Sequence, residues 1–321
     1  MNQPTRTFPQ YEHHDHHWSI VLAGGQGKRL AHFIKQRCGD YRPKQYCAII
    51  GRRTMLRHTI DRIAPLFDPD HVMVSVNAAH LPWAFSELHD RPPRTIVIQP
   101  YDRETAPGIL LSLLHVHHED PQALIALFPA DHFILGEDRY RAYVRQAFER
   151  VEAEPERTVM LGVPPTSVQS GYGWIEPGEP LHGGALRAVK RFWEKPDDQF
   201  MRYLHDKGCL WNTMTLVGTC THILSLMERH MTNLYSAMRS VIPSLGTRHE
   251  MEATERIFAP LPPVNISRGL LERVPEHLSV LSLQGIYWSD WGDEQRVRHD
   301  IDALEHHDLP FSDEQNMLNA S

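Results

Sequence analysis

Cysteine is scarce in this chain. Four occur in 321 residues, at Cys38, Cys47, Cys209 and Cys220, and none falls in the paired CxxC spacing of a zinc site or redox motif. The simple reading is four reduced thiols in the cytoplasm. Long apolar runs are missing as well: no stretch approaches the roughly 18 to 20 residues that span a bilayer, and the polar N-terminus lacks a signal-type apolar core. No membrane partner is expected, and the protein is expected to stay in the cytoplasm. A surplus of positive charge is also absent. With 33 Lys and Arg against 40 Asp and Glu, the net charge is -7, which argues against a broad nucleic-acid-binding face. Any phosphate chemistry must use a local basic pocket. No internal repeat is visible.

What is present is ordinary globular composition, 41% hydrophobic and 23% charged, in a length that suits one large α/β domain or one domain with a modest appendage. Histidine is abundant. Residues 1–17 are polar and carry the cluster His13-His14-Asp15-His16-His17, which reads as a flexible tail, with divalent-metal binding through imidazole as the alternative.

Trp18 to Ala23 reads as a short buried strand ending in glycines, where a sheet strand hands over to a phosphate-binding loop. Leu56, Ile60 and Ile63 recur at helical spacing, His71 to Asn77 is β-rich, and Thr95 to Gln99 makes a third strand. A helix over Ile109 to His117 precedes the continuous apolar run Ala123 to Phe128, a strand buried on both faces. Asp138 to Val151 keeps its apolar residues on one helical face, and Thr158 to Val163 is another strand. This alternation implies a mostly parallel, layered sheet. The second half is less regular, with a Gly- and Pro-rich stretch from Gly171 to Gly184, a strand near Leu186 to Phe192, and helical patterns at His222 to His230 and Tyr235 to Val241. Residues from Ser312 onward read as a frayed tail.

The chemistry concentrates in Leu22-Ala23-Gly24-Gly25-Gln26-Gly27-Lys28-Arg29-Leu30, followed by Pro43-Lys44-Gln45. Gly24, Gly25 and Gly27 let backbone N–H groups approach phosphate oxygens, and Arg29 and Lys44 add charge where backbone dipoles do not suffice. A glycine loop alone could equally be a tight strand-to-helix connection. Three glycines after a strand, an Arg two residues on and a Pro-Lys within about fifteen residues make a more specific pattern.

That combination resembles the signature of the sugar-phosphate nucleotidyltransferases, and the Pro-Lys-Gln run resembles their mannose-1-phosphate guanylyltransferase branch. The likeness continues in order through Gln99-Pro100 with Arg103 to Pro107, Phe128 to His132, Gly171 to Ile175, Glu194-Lys195-Pro196, Leu210-Trp211-Asn212 and Trp288 to Gly292. It thus covers nearly the whole chain. The resemblance implies a Rossmann-like, mostly parallel mixed sheet flanked by helices, with a catalytic domain over residues 18–300 and a C-terminal extension over 301–321. It implies that a nucleoside triphosphate and a sugar 1-phosphate are joined with release of pyrophosphate. Arg29 would bind the β- and γ-phosphates and Lys44 the α-phosphate. Leu22, Ala23, Gly24, Gly25, Gly27, Gln99, Thr105, Ala106 and Pro107 would serve the nucleotide. Gly173, Glu194, Lys195 and Asn212 would serve the sugar phosphate, and Asp131 and Asp290 would hold Mg²⁺. Read singly, each Asp suits an N-cap or turn, Glu194 and Lys195 an exposed charged pair, and Asn212 a strand end.

Several positions depart from the pattern, and those at Met214 and Ser267 bear on the acceptor. Lys28 replaces a Thr, Glu104 an Asn and Met214 a Gly, while Ser267 stands in place of an acidic residue. The run between Arg29 and Pro43 lacks the family's Trp-Pro-Leu-Ser-Arg-like sequence. The expected reaction is GTP with mannose 1-phosphate or a close hexose 1-phosphate. The same chemistry on another triphosphate or sugar phosphate stays open, as does a non-catalytic nucleotide-sugar-binding role. No β-helix or cupin-like isomerase domain is expected, and a homodimer through the C-terminal surface stays open.

Overall fold

The computed structural model describes residues 14–169, 171–182, 184–306 and 309. The first part of the His-rich segment and the tail from Ser312 lie outside the described residues. The centre is a strand, β1 (His17–Ala23), whose residues are almost all buried. It pairs in parallel with β2 (Val72–Asn77) on one side and β4 (Leu124–Pro129) on the other, and β3 (Ile96–Gln99) pairs in parallel with β2. Continuous runs such as VMVSVN can be buried on both faces because helices cover the sheet on each side. Met55–Ile63 and Glu137–Ala153 pack on one face, and Thr105–Glu119 with Cys220–His230 on the other.

The expected elements are present, the helices with extended ends, while the strands expected from His71 and Thr95 each start one residue later, at Val72 and Ile96. The helix anticipated over 138–151 runs Glu137–Ala153, and that over 109–117 runs Thr105–Glu119. The strand anticipated from Trp18 starts one residue earlier, because His17 already pairs with Leu124. The pattern at 235–241 divides into an α-helix Thr232–Met238 and a 3-10 turn Arg239–Ser244, where Pro243 lacks the N–H a helix needs.

The sheet has nine strands in the order β3-β2-β1-β4-β9-β6-β10-β8-β7. Beyond β4 it is not mostly parallel, and that expectation is corrected. β9 (Leu210–Thr219) runs antiparallel between β4 and β6 (Thr158–Val163), and β7 (Gly173–Pro180) with β8 (Leu186–Glu194) forms an antiparallel hairpin. Only β10 (Leu278–Ser282) returns to a parallel pairing, with β6. Much of the stretch from Gly171 to Gly184 is therefore strand, and its prolines Pro177 and Pro180 sit where the β7–β8 register shifts.

A separate ribbon pairs β5 (Phe133–Leu135) with β11 (Tyr287–Ser289), Phe133 opposite Ser289. Beneath it lies a smaller core of Leu30, Phe33, Ile34, Cys47, Trp291 and Val297. The helix Glu294–Glu305 closes this core with Val297 and Leu304. The boundary anticipated at 300 falls inside that helix, since Leu304 is as much part of the core as Val297.

Two cysteines also depart from expectation. Cys38 and Cys47 form a disulfide, while Cys209 and Cys220 are free and buried. The helix Ala31–Cys38 ends on Gly39 in the left-handed region, φ 82°, and the chain doubles back through Lys44–Tyr46. This return brings the two Cα atoms to 6.5 Å, a proximity that a nine-residue separation does not announce.

Candidate active site

Parallel pairing sets the position of the site. Leu22 lies opposite both Ser75 and Pro129, and Asn77 opposite Gln99, so the carboxyl ends of β1 to β4 share one edge of the sheet. Ligands bind at such an edge in open α/β sheets. β9 enters the same edge from the opposite direction, which puts Asn212, near its start, beside the ends of β4 and β6.

A cleft of ≈ 250 Å³ opens along this edge, with Leu22, Gly24, Gly25, Gln99, Thr105, Asp131 and Met214 in its wall. Gly24 is required by close approach. A Cβ there would lie 2.8 Å from Gln99 Nε2, and Gly108 meets the same amide from the other side. The Gln99 side chain is slotted between the two glycines and donates to Ser75 Oγ at 2.8 Å. Gly27 has φ 59°, and a Cβ would press on the Lys44 backbone nitrogen at 3.2 Å. A Cβ at Gly25 would meet nothing within 4 Å, and the residue is exposed.

Three residues named for the nucleotide stand behind the cleft wall. Ala23 is fully buried, and its carbonyl accepts from Gln45 Nε2 at 2.8 Å and Tyr46 hydroxyl at 3.1 Å. Ala106 and Pro107 are buried in the first turn of the Thr105–Glu119 helix. Gln45 also donates to the Gly25 carbonyl at 2.7 Å. It therefore braces the glycine loop from below, a task that its place in the Pro-Lys-Gln motif did not reveal.

A second opening of ≈ 320 Å³ adjoins the first and shares Asp131 with it; Gly27, Arg29, Lys44 and Gly292 line it. Arg29 is exposed and reaches toward Gly171. Lys44 is buried, and its ammonium uses its donors on Asp131 Oδ2 at 3.1 Å, the Trp291 carbonyl at 3.2 Å and the Asp290 carbonyl. The β5–β11 ribbon explains this meeting. Asp131 stands two residues before Phe133 and Asp290 one residue after Ser289, so the Phe133–Ser289 pairing brings the Asp131 carboxylate and the Asp290 carbonyl to the same ammonium. The Asp131 and Asp290 side chains are oxygen donors of the kind a small hard divalent cation takes.

Burial raises the Asp131 carboxyl, but the Lys44 ammonium, His132 and hydrogen bonding outweigh it and hold the group below the usual carboxylate range. Burial lowers the His132 imidazole, with Asp131 pulling the other way. His132 Nδ1 accepts from Trp288 Nε1 at 3.2 Å, which assigns the proton to Nε2, the nitrogen facing Asp131 Oδ1 at 3.9 Å. Asp290 is gripped differently. Its Oδ1 accepts from Arg296 at 2.6 Å, Tyr172 hydroxyl at 3.1 Å and the Gly292 backbone at 2.9 Å. Arg296 also covers the Tyr172 ring at 4.6 Å and pairs with Asp293 at 2.8 Å. Neither Arg296 nor His132 was singled out from sequence. Arg296 lies beyond every motif, and its role arises only when the last helix folds back.

The four residues named for the sugar phosphate come together. Gly173 pairs with Glu194 across the β7–β8 hairpin, and a Cβ at Gly173 would lie 3.2 Å from Glu194 Oε2 and 3.3 Å from Asn212 Cβ. Lys195, at φ 52°, pairs with Glu194 at 3.3 Å. Tyr172, between Gly171 and Gly173, links this cluster to Asp290. Asn212 itself is engaged: Oδ1 accepts from the Met214 backbone at 3.0 Å, and Nδ2 contacts Met214 Sδ at 3.2 Å. Met214 holds φ 55° and also touches Ser267 Oγ.

The nucleotidyl transferase family profile matches residues 18–304. The chain is 29% identical over 281 residues to the mannose-1-phosphate guanylyltransferase RfbM of Salmonella typhimurium, covering 85% of this chain and 56% of that protein. It is 28% identical to a mannose-1-phosphate guanylyltransferase of Escherichia coli K12, covering 86% and 58%. It thus spans little more than half the length of these curated relatives. Among solved structures, a Thermus thermophilus protein described as a mannose-1-phosphate geranyltransferase superposes with a TM-score of 0.76 at 26% identity, covering 88% of this chain and 79% of that one.

Proposed function

The chain belongs to the nucleotidyl transferase family, and from that premise we propose that it joins GTP and mannose 1-phosphate, or a close hexose 1-phosphate, into a nucleotide sugar. The observation that carries this reading is Lys44, whose ammonium stands between the glycine loop and the segments bearing Asp131 and Asp290.

The triphosphate lies along the glycine loop, with its base in the cleft between Leu22, Gln99 and Thr105. Arg29, exposed at the second opening, meets the β- and γ-phosphates. A sugar-phosphate oxygen, positioned from the Gly173, Glu194, Lys195 and Asn212 side, attacks the α-phosphorus. One P–O bond forms as the bond to the bridging oxygen of the β-phosphate breaks, and pyrophosphate leaves with the electron pair. Lys44 exchanges one of its carbonyl acceptors for an α-phosphate oxygen and stabilises the charge gathering there. Asp131 and Asp290 would hold magnesium, which would supply neutralisation of the crowded phosphate charge. Arg296 and Tyr172 keep the Asp290 carboxylate oriented.

The engagement of Asn212 by Met214 favours a second version of the same chemistry, with a different sugar phosphate as acceptor. Pyrophosphate release, measured for the four nucleoside triphosphates against several sugar 1-phosphates, separates the versions. GTP with mannose 1-phosphate is expected to give the highest kcat/KM. A higher value for another pair replaces the substrates, and no release with any pair overturns the catalytic reading. Asp131→Asn and Asp290→Asn are each expected to lower turnover by about a hundredfold or more, with the magnesium requirement raised and the far-ultraviolet circular dichroism unchanged.

A further inference from the structure

The amino end of β1, opposite the proposed catalytic edge, carries a second group of metal-type ligands. His14 and His17 belong to one turn, closed by the His17 backbone N–H donating to the His14 carbonyl at 3.0 Å. Their rings stack with centroids 4.4 Å apart. Glu152, on the last turn of the Glu137–Ala153 helix, reaches the same spot, and His17 Nε2 lies 2.9 Å from Glu152 Oε1. One donor atom from each residue lies within 4.8 Å of the other two.

We propose that His14, His17 and Glu152 form a binding site for a borderline divalent cation of the zinc class, distinct from the magnesium site. Two imidazole nitrogens and one carboxylate oxygen make the donor set of a three-ligand zinc site, completed by solvent at the fourth position. Magnesium, which seeks oxygen donors, is poorly matched by it. His17 is already oriented. Its ring stacks on Phe148 at 4.0 Å, and burial keeps it neutral, the form that ligates. His14 is exposed and Glu152 about half exposed, so both can adjust toward an ion. Seven strand residues, about 23 Å at the usual rise, separate this end of β1 from the glycine loop. The cation therefore acts on the architecture, tying the segment before β1 to the Glu137–Ala153 helix.

The test is calorimetric titration of the full chain, stripped of metals, with Zn²⁺ in excess Mg²⁺. Saturable binding of one Zn²⁺ per chain is expected, with a rise in melting temperature. His14→Ala and Glu152→Gln are each expected to weaken binding by about tenfold or more and to abolish the Zn²⁺-dependent rise. Both positions are exposed enough for the variants to fold. Substituting Co²⁺ should give a ligand-field absorption that both variants lose. Absence of saturable Zn²⁺ binding in the wild-type chain overturns the proposal, and so does wild-type binding by both variants.

Discussion

Four residues around the proposed catalytic edge carry backbone conformations that side chains seldom adopt: Glu104, Lys195, Met214 and Trp291 all have positive φ. Such positions cost of order 1 to 3 kcal/mol each and persist where the surroundings over-determine them. Glu104 is the simplest to relieve. It is exposed, with φ 62° and ψ -160°, a region natural only to glycine, and its side chain makes no capping bond to the helix it precedes. Glu104→Gly is expected to stabilise the protein by about 1 kcal/mol, read as an increase in the denaturant midpoint; a decrease would contradict this. Met214 engages Asn212 and Ser267, both on the proposed acceptor side. Met214→Gly relieves φ 55° and releases the Asn212 amide, so KM for the sugar 1-phosphate is expected to shift while KM for the triphosphate stays within about twofold. Lys44→Ala is expected to reduce kcat by about two to three orders of magnitude, measured by pyrophosphate release.

At the level of elements, short pairings do the positioning. The β7–β8 hairpin and β9 bring Gly173, Glu194 and Asn212 within contact, and the space at Gly173 is fully used: a Cβ would sit 2.8 Å from the Phe192 ring. Gly173→Ala is expected to displace β7 from Phe192 and Glu194 of β8 and from Asn212 of β9, and to raise KM for the sugar 1-phosphate by about tenfold, with triphosphate binding retained. Equal losses for both substrates would place the effect elsewhere. The β5–β11 ribbon brings the Asp131 carboxylate and the Asp290 carbonyl to the Lys44 ammonium, and the helix Glu294–Glu305 holds it in place. Asp300 accepts from Tyr287 at 2.6 Å and from Trp291 Nε1 at 2.8 Å, while Arg296 grips Asp290. Arg296→Gln is expected to raise the magnesium concentration needed for half-maximal turnover without lowering the saturated rate as far as Asp290→Asn does.

Across the whole molecule, the abundance of histidine has a consequence for stability. His80 and His222 are buried at separate places, and burial lowers each ring below its ordinary value. Above about pH 6.5 both the folded and unfolded chains keep these rings neutral, and this stability is fully present. As pH falls below that value the unfolded chain takes up protons that the folded chain refuses, so stability falls. The unfolding free energy is expected to decline from pH 7 to pH 5.5, with a slope of up to about 1.4 kcal/mol per pH unit for each histidine involved. Urea denaturation across that range checks the sign, and a rise in stability toward pH 5.5 would contradict it.

The sequence by itself determined the local elements and the glycine-loop end of the candidate site. Apolar runs specified β1, β2 and β4 because burial on both faces leaves little room for polar residues, and glycines at 24 and 27 marked a loop whose backbone must pass close to other groups. The resemblance carried by the ordered motifs pointed to the family that the profile match then showed. Tertiary structure alone decided what depends on distant segments meeting. The antiparallel half of the sheet, the Cys38–Cys47 bond, the bracing of the loop by Gln45 and the grip of Arg296 on Asp290 all join residues whose sequence separation carries no periodic signal. The withdrawal of Ala23, Ala106 and Pro107 behind the cleft wall has the same origin: a motif specifies which residues travel together, while which of them face the cleft is set by how neighbouring strands and helices pack around them.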